Sequence, residues 1–117
     1  GVDVSDYAIT HAMDDIKSKV QVADARNLPF ADNSFDVVIA INTVHNLDRN
    51  DCAKALREIE RVSCKGSFIT VDAYRNDDEK ERMFAWNLTA KTIMSVDEWV
   101  AFFEEVGYTG DYFWFVP

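Results

Sequence analysis

The sequence predicts an α/β domain with a largely parallel sheet. Short apolar or alternating stretches take turns with helix-spaced apolar stripes along the whole chain. Phe35 to Ile41 is almost entirely apolar and β-branched, the pattern of a strand covered on both faces of a parallel sheet. Ser95-Val96-Asp97-Glu98 is a capping box. It opens a stripe at Val96, Trp99, Val100, Phe103 and Val106 that stops at Gly107.

The elements follow in order. Gly1 to Ser5 reads as the end of a strand, with Ser5 as helix N-cap. Ile9, Ala12, Met13 and Ile16 predict an amphipathic helix over about residues 6–18. Val20 to Asp24 alternates like a strand near a sheet edge. Residues 25–34 are loop-forming, with Asn27, Pro29, Asp32, Asn33 and Ser34. Phe35 to Ile41 is the next strand, and Asn42 to Asn50 a second polar loop. Cys52, Leu56, Ile59 and Val62 mark a helix over about 51–63, and Gly66 is expected to close that connection. Ser67 to Tyr74 is a strand. Asn76 to Glu79 is an acidic helix start, favourable at the positive end of a helix dipole. Tyr112 to Val116 is the last strand.

The 117 residues are predicted to form a single domain, 1–117. The net charge is −9, from 12 basic and 21 acidic residues. A phosphate backbone is held by a basic footprint, so the charge argues against nucleic acid as partner. No apolar run exceeds five residues, Val37–Ile41 being one such run, whereas a bilayer span needs about 20. No membrane association and no secretory leader are expected. Cys52 and Cys64 form no CxxC, and only His11 and His45 could join them around a metal. A reduced, cytoplasmic setting and no metal are therefore expected. The four glycines, Gly1, Gly66, Gly107 and Gly110, are dispersed. The chain has no glycine loop of the kind that cradles phosphate.

In parallel sheets ligands sit beyond the carboxyl ends of the strands. Asp3, Asp24 and Asn42 stand at three such ends. A carboxylate there can accept hydrogen bonds from both hydroxyls of a ribose, and a second one can accept from an exocyclic amine. This pattern suits an adenosine grip that needs no phosphate. Aspartates also cap turns at strand ends, and spacing alone leaves both roles open.

Four segments decide between them by their order and spacing: Gly1-Val2-Asp3-Val4-Ser5, Ala23-Asp24-Ala25-Arg26-Asn27-Leu28-Pro29-Phe30, Asp32-Asn33-Ser34-Phe35-Asp36-Val37-Val38 and Asn42-Thr43-Val44-His45-Asn46-Leu47. Together they resemble the class I S-adenosylmethionine-dependent methyltransferases, in particular the small-molecule, type 11-like subgroup. Leu56 to Val62 and Val106-Gly107-Tyr108 continue the resemblance, which covers essentially the whole chain. It implies a Rossmann-like sheet with helices on both faces and S-adenosylmethionine as cofactor. It also implies that Asp3 holds the ribose and Val4 lines the adenine pocket. Asp24 accepts from the adenine amine, with the Ala25 N–H near a ring nitrogen. Asn42 and Thr43 lie beside the methionine part.

The chain departs from the family in one large respect. It begins at the family's second strand, without the first strand and its glycine-rich loop, so an N-terminally truncated, partial domain is expected. The absent strand lies centrally, between those that carry Asp3 and Asn42, and the final antiparallel strand is also absent. A sheet opened there leaves backbone groups unpaired. Pairing with another copy as a homodimer, a swapped element or an upstream segment would satisfy them.

Methyl transfer from a sulfonium is an in-line displacement governed by alignment, and a base is needed only for a protonated acceptor. His45 is the candidate for that base. In the family the segment between Tyr74 and Met94 covers the acceptor. Tyr74, Met83 and Trp86 are therefore candidates for substrate contact, and an apolar or aromatic small molecule is the expected acceptor. Trp99 and Phe103 read as core. Two other functions remain: a non-catalytic methyltransferase-like module for binding or dimerisation, and a Rossmann-type oxidoreductase.

Overall fold

The computed structural model describes residues 1–116. It divides into two parallel sheets. The first pairs β1 (Val2–Asp3) with β2 (Gln21–Val22), joined through α1 (Asp6–Thr10). The second holds β3 (Phe35–Ile41), β4 (Ser63–Tyr74), β5 (Met94–Ser95) and β6 (Asp111–Phe115). In it β4 pairs in parallel with each of the other three strands. Three helices connect them: α2 (Arg49–Val62), α3 (Asp77–Trp86) and α4 (Val96–Val106). The fold is α/β and Rossmann-like. No helix among the described residues is long and apolar enough to cross a membrane.

The core lies between α2, α4 and one face of the second sheet. Strand side chains alternate between faces. Ile69 and Val71 therefore point with Trp114 toward Trp99, Phe103, Leu56 and Ile59. Trp99, Leu56, Ile69 and Val71 have no exposed surface. The stripe of α4 follows its spacing at Val96, Trp99, Phe103 and Val106, whereas Val100 is 38% exposed and Phe102 packs in the core instead. Ser95 and Glu98 make both capping-box bonds. Gly107 ends the helix at φ 78°, a left-handed conformation that glycine adopts without a Cβ clash.

Several expectations are corrected. The helix expected over 6–18 stops at Thr10, and only a 3-10 turn forms at Lys17–Lys19. Met13 and Ile16 are 69% and 45% exposed, so the predicted stripe packs against nothing. Helices this short persist mainly through tertiary packing. Gly66 does not separate helix from strand, since α2 runs directly into β4 at Ser63. An extra residue of β4 is absorbed there as a bulge, between the pairs Phe35↔Ser63 and Val37↔Gly66. β3 is not covered on both faces. Val38 and Ala40 pack on the core, whereas Val37, Ile39 and Ile41 are 60%, 67% and 51% exposed.

Candidate functional site

The parallel strands bring their carboxyl ends together within each sheet, and Asp3, Asp24 and Asn42 stand at or just past the ends of β1, β2 and β3. Asp3 closes β1. One carboxylate oxygen accepts the Ser5 N–H at 2.9 Å, and Ser5 in turn caps α1. The Asp3 carbonyl accepts the Ala23 N–H at 3.0 Å and so fastens the end of β2. The carboxylate stays exposed and has lone pairs to spare, as two hydroxyl donors require. Val4 beside it is 68% exposed.

Asp24 is placed differently from its implied role. The Arg26 guanidinium forks onto its carboxylate, with Nε 3.0 Å from both oxygens, and the Arg26 backbone N–H adds a bond at 2.9 Å. These bonds hold the carboxyl at about 2. Arg26 also reaches Asp51 of α2 at 3.1 Å. Most acceptor sites of Asp24 are thus filled from within the chain, and an amine would have to share them with Arg26. Ala25 packs against the core cluster.

Asn42 leaves β3 at φ 51°, in the left-handed region. Its N–H donates to the Thr70 carbonyl at 3.1 Å and to Thr70 Oγ1 at 2.9 Å, and the Thr70 hydroxyl donates back to Asn42 Oδ1 at 2.9 Å. Left-handed asparagine is tolerated where such local bonds define it, and it turns the chain sharply out of the sheet. Thr43 then opens a 3-10 turn over Val44–Asn46, its carbonyl accepting the Asn46 N–H at 3.0 Å.

His45 is not at the mouth of the site. It is buried, its Nδ1 accepts the Asp72 N–H at 3.0 Å, and its Nε2 lies 3.9 Å from the Asp72 carboxylate. Burial pushes the imidazole below its ordinary value and the Asp72 carboxyl above its own, each partly opposed by the other. Such an imidazole is a neutral structural group without access to an acceptor.

Of the residues expected at the acceptor side, Met83 is wholly buried and cannot line it. Trp86 is 52% exposed and its ring lies 5.4 Å from that of Phe115. Tyr74 lines a cavity of about 160 Å³ with Arg75, Ser95, Val96 and Asp97. Its hydroxyl points to Glu98 at 3.4 Å, and burial and that carboxylate raise its pKa. Arg75 itself is clamped by Glu79 at 2.7 Å.

The loop expected over 25–34 is set by a partner that motif reading did not connect to it. The Leu28 N–H donates to Glu58 at 2.7 Å. Arg61 donates to the carbonyls of Leu28 and Phe30, at 3.1 and 2.7 Å, and to Asp32 and Glu58. Glu58 and Arg61 stand one turn apart on α2, and that i, i+3 pairing is the signal that could have marked them. Among the described residues no group of three or more His, Cys, Asp or Glu side chains is placed to hold a metal.

The family described as "Methyltransferase domain" matches residues 1–71, more than half of the chain. The chain belongs to this methyltransferase family. Among curated proteins, the tRNA (carboxymethyluridine(34)-5-O)-methyltransferase of Arabidopsis thaliana is 33% identical over 103 residues, 86% of this chain and 24% of that protein. The 27-O-demethylrifamycin SV methyltransferase of Amycolatopsis mediterranei is 31% identical over 122 residues, 92% of this chain and 44% of that protein. Among solved structures, the YcgJ protein of Bacillus subtilis superposes with a TM-score of 0.68 at 24% identity, covering 91% of this chain and 50% of its own. A SAM-dependent methyltransferase of Thermotoga maritima gives 0.62 at 26% identity, covering 92% and 53%. The chain thus spans about half of these solved structures and less than half of the two curated relatives. The family region takes in β1, β2, β3 and most of β4, and includes Asp3, Asp24 and Asn42.

Proposed function

We propose that the protein to which this chain belongs transfers a methyl group from S-adenosylmethionine to a small-molecule acceptor. The observation that carries this reading is the pair of polar strand ends within the family match. Asp3 keeps an exposed carboxylate at the end of β1, and Asn42 turns the chain sharply at the end of β3. Asp3 would hold the ribose, Val4 and Ala25 would flank the adenine, and Asn42 and Thr43 would border the amino-acid end. Asp24, occupied by Arg26, would serve the adenine amine only by sharing its oxygens.

S-adenosylmethionine supplies an activated methyl on a sulfonium whose departure leaves a neutral thioether. What remains for the protein is placement and exclusion of water, and well-oriented reactants can gain about 7–11 kcal/mol from placement alone. No base is assigned, because the His45 ring is buried against Asp72. An acceptor that presents a lone pair fits such a site.

The net charge of −9 favours a small molecule over RNA. One relative is named for a rifamycin precursor and another for a tRNA uridine, so the acceptor's size is the point to test. Exposed Trp86 and half-buried Tyr74 favour an apolar or aromatic acceptor. Calorimetric titration with S-adenosylhomocysteine is the test. Binding that disappears in Asp3→Ala is the expected result. Binding that survives the substitution would remove Asp3 from the grip, and absence of binding would refute the adenosine site of this chain.

The exposed face of β3 favours a second reading, a methyltransferase-like module that pairs with another copy. Sedimentation showing a monomer across the accessible concentration range would refute it.

A further inference from the structure

Two loops emerge beside the proposed site, and one buried residue touches both. The first is the turn Asn42–Leu47 that follows β3. The second is the strap Asn87–Thr92 between α3 and β5. The strap has its own internal lock, since the Asn87 side chain donates to the Ala90 carbonyl and accepts the Ala90 N–H, both at 2.9 Å.

His45 faces the two loops with different groups. Its ring holds the turn: Nδ1 accepts the Asp72 N–H at 3.0 Å. A nitrogen that accepts carries no proton, so the proton sits on Nε2, toward the Asp72 carboxylate. The Asp72 carbonyl in turn accepts from Trp99 Nε1 at 3.0 Å, which anchors this arrangement in the core. The His45 carbonyl holds the strap, accepting the N–H groups of Lys91 at 2.9 Å and Thr92 at 3.0 Å. Two side-chain bridges reinforce it. Thr92 Oγ1 donates to the Leu47 carbonyl at 2.6 Å, and Thr89 Oγ1 donates to Asn46 Oδ1 at 3.1 Å. At the other end of the turn, Asn42 is fixed to Thr70 through three bonds.

We propose that His45 is a positioning residue whose ring fixes the turn carrying Asn42 and Thr43 and whose carbonyl fixes the strap 87–92, so that the two loops hold their places as one unit. Resting on the site assignment above, this couples the cofactor side to the acceptor side. A rigid link of this kind orders both loops before either ligand arrives, which lowers the ordering cost of binding. A base role for His45 is incompatible with it, because both ring nitrogens face Asp72 and the side chain is 5% exposed.

Amide hydrogen exchange by NMR on the full chain tests this directly, without any ligand. In His45→Leu the Asp72 N–H loses its acceptor. An unpaired buried donor corresponds to about tenfold or more in a local opening equilibrium. Faster exchange at Lys91 and Thr92 by about that factor is expected, together with faster exchange at Asn42. His45→Asn offers an oxygen in place of Nδ1 and should return these rates to within about threefold of wild type. Unchanged strap amides in a folded His45→Leu overturn the proposal, as does an asparagine variant no better than leucine. If His45→Leu does not fold, Thr92→Val decides. It should speed exchange at Asp72 and Asn42, and unaltered rates there overturn the coupling. S-adenosylhomocysteine titrations of the same variants separate the two claims. Parallel loss of affinity in His45→Leu and Thr92→Val supports the link. If wild type binds no ligand, the cofactor assignment falls, while the exchange rates still decide the coupling.

Discussion

The β1–α1–β2 unit and the α2–β4–α4 body use the same alternation of strand and helix, and their sequence patterns are about equally clear. Their interiors differ completely. No residue before Leu28 is buried, whereas the body holds Trp99, Leu56, Ile69 and Val71 with no exposed surface. In the body most of the apolar stripe residues meet another apolar surface, Val100 of α4 being an exception. In the first unit Val4, Tyr7, Met13 and Ile16 face outward. Periodicity states which side of an element is apolar, and burial depends on whether a second apolar surface is there to meet it.

Three substitutions and one acid titration test that contrast, and the largest effect belongs to the body. Trp99→Ala should cost about 3–5 kcal/mol, as deletion of a buried aromatic does. That is a large share of the stability of a domain, and a denaturant midpoint measures it. A loss under about 1 kcal/mol would mean that the body is no better packed than the first unit.

Glu58→Ala comes next. It removes the acceptor of the Leu28 N–H and one arm of the Arg61 cluster that ties the 25–34 loop to α2. Hydrogen bonds to a charged group contribute about 1.5–3 kcal/mol, and the Leu28 amide should exchange faster in the variant. An unaffected Leu28 amide would show that the first unit is attached in some other way.

Acid should loosen the Asp24–Arg26 clamp later than ordinary carboxylates titrate. The folded carboxyl lies near 2 against an ordinary 3.8, mainly because it accepts from Arg26. The folded value is below the unfolded one. The contribution of the pair is therefore complete above 3.8 and is lost as pH falls toward 2. A carbon-13 titration of the Asp24 carboxyl reads this, and a midpoint at the ordinary value would dissolve the clamp.

The smallest effect is expected in the first unit, where Ile16→Ser should change stability by no more than about 0.5 kcal/mol. A larger loss would show that Ile16 is covered in solution, and would erase the contrast between the two regions.

Legibility followed the same division. The α4 helix could be read almost to the residue because its cap, its stripe and its terminal glycine are all local signals. The strand at Phe35–Ile41 was legible in place and direction, while its bare outer face was not. Hydrophobicity marks a face as apolar but carries no record of what is present to cover it. The placement of Asp3 and Asn42 at the ends of β1 and β3 was legible, because it is a matter of topology. The roles first expected for Asp24, His45 and Met83 turned on contacts that spacing leaves unspecified. Asp24 is claimed by Arg26 two residues on, His45 by the backbone of Asp72, and Met83 by the interior.

The bulge at the start of β4 sets how the chain can change in length. Because the last turn of α2 passes into the strand with no loop between, an added or lost residue has nowhere else to go. Between the partners of Phe35 and Val37, β4 already carries one residue more than β3. A deletion within Cys64–Lys65 would make the two strands equal there and leave Phe68 to Tyr74 facing as before. An insertion would exceed what a single bulge holds and would turn the following side chains over, sending Ile69 and Val71 to the bare face. Length variation at this junction is therefore lopsided: losing one residue preserves the register, whereas gaining one puts it at risk.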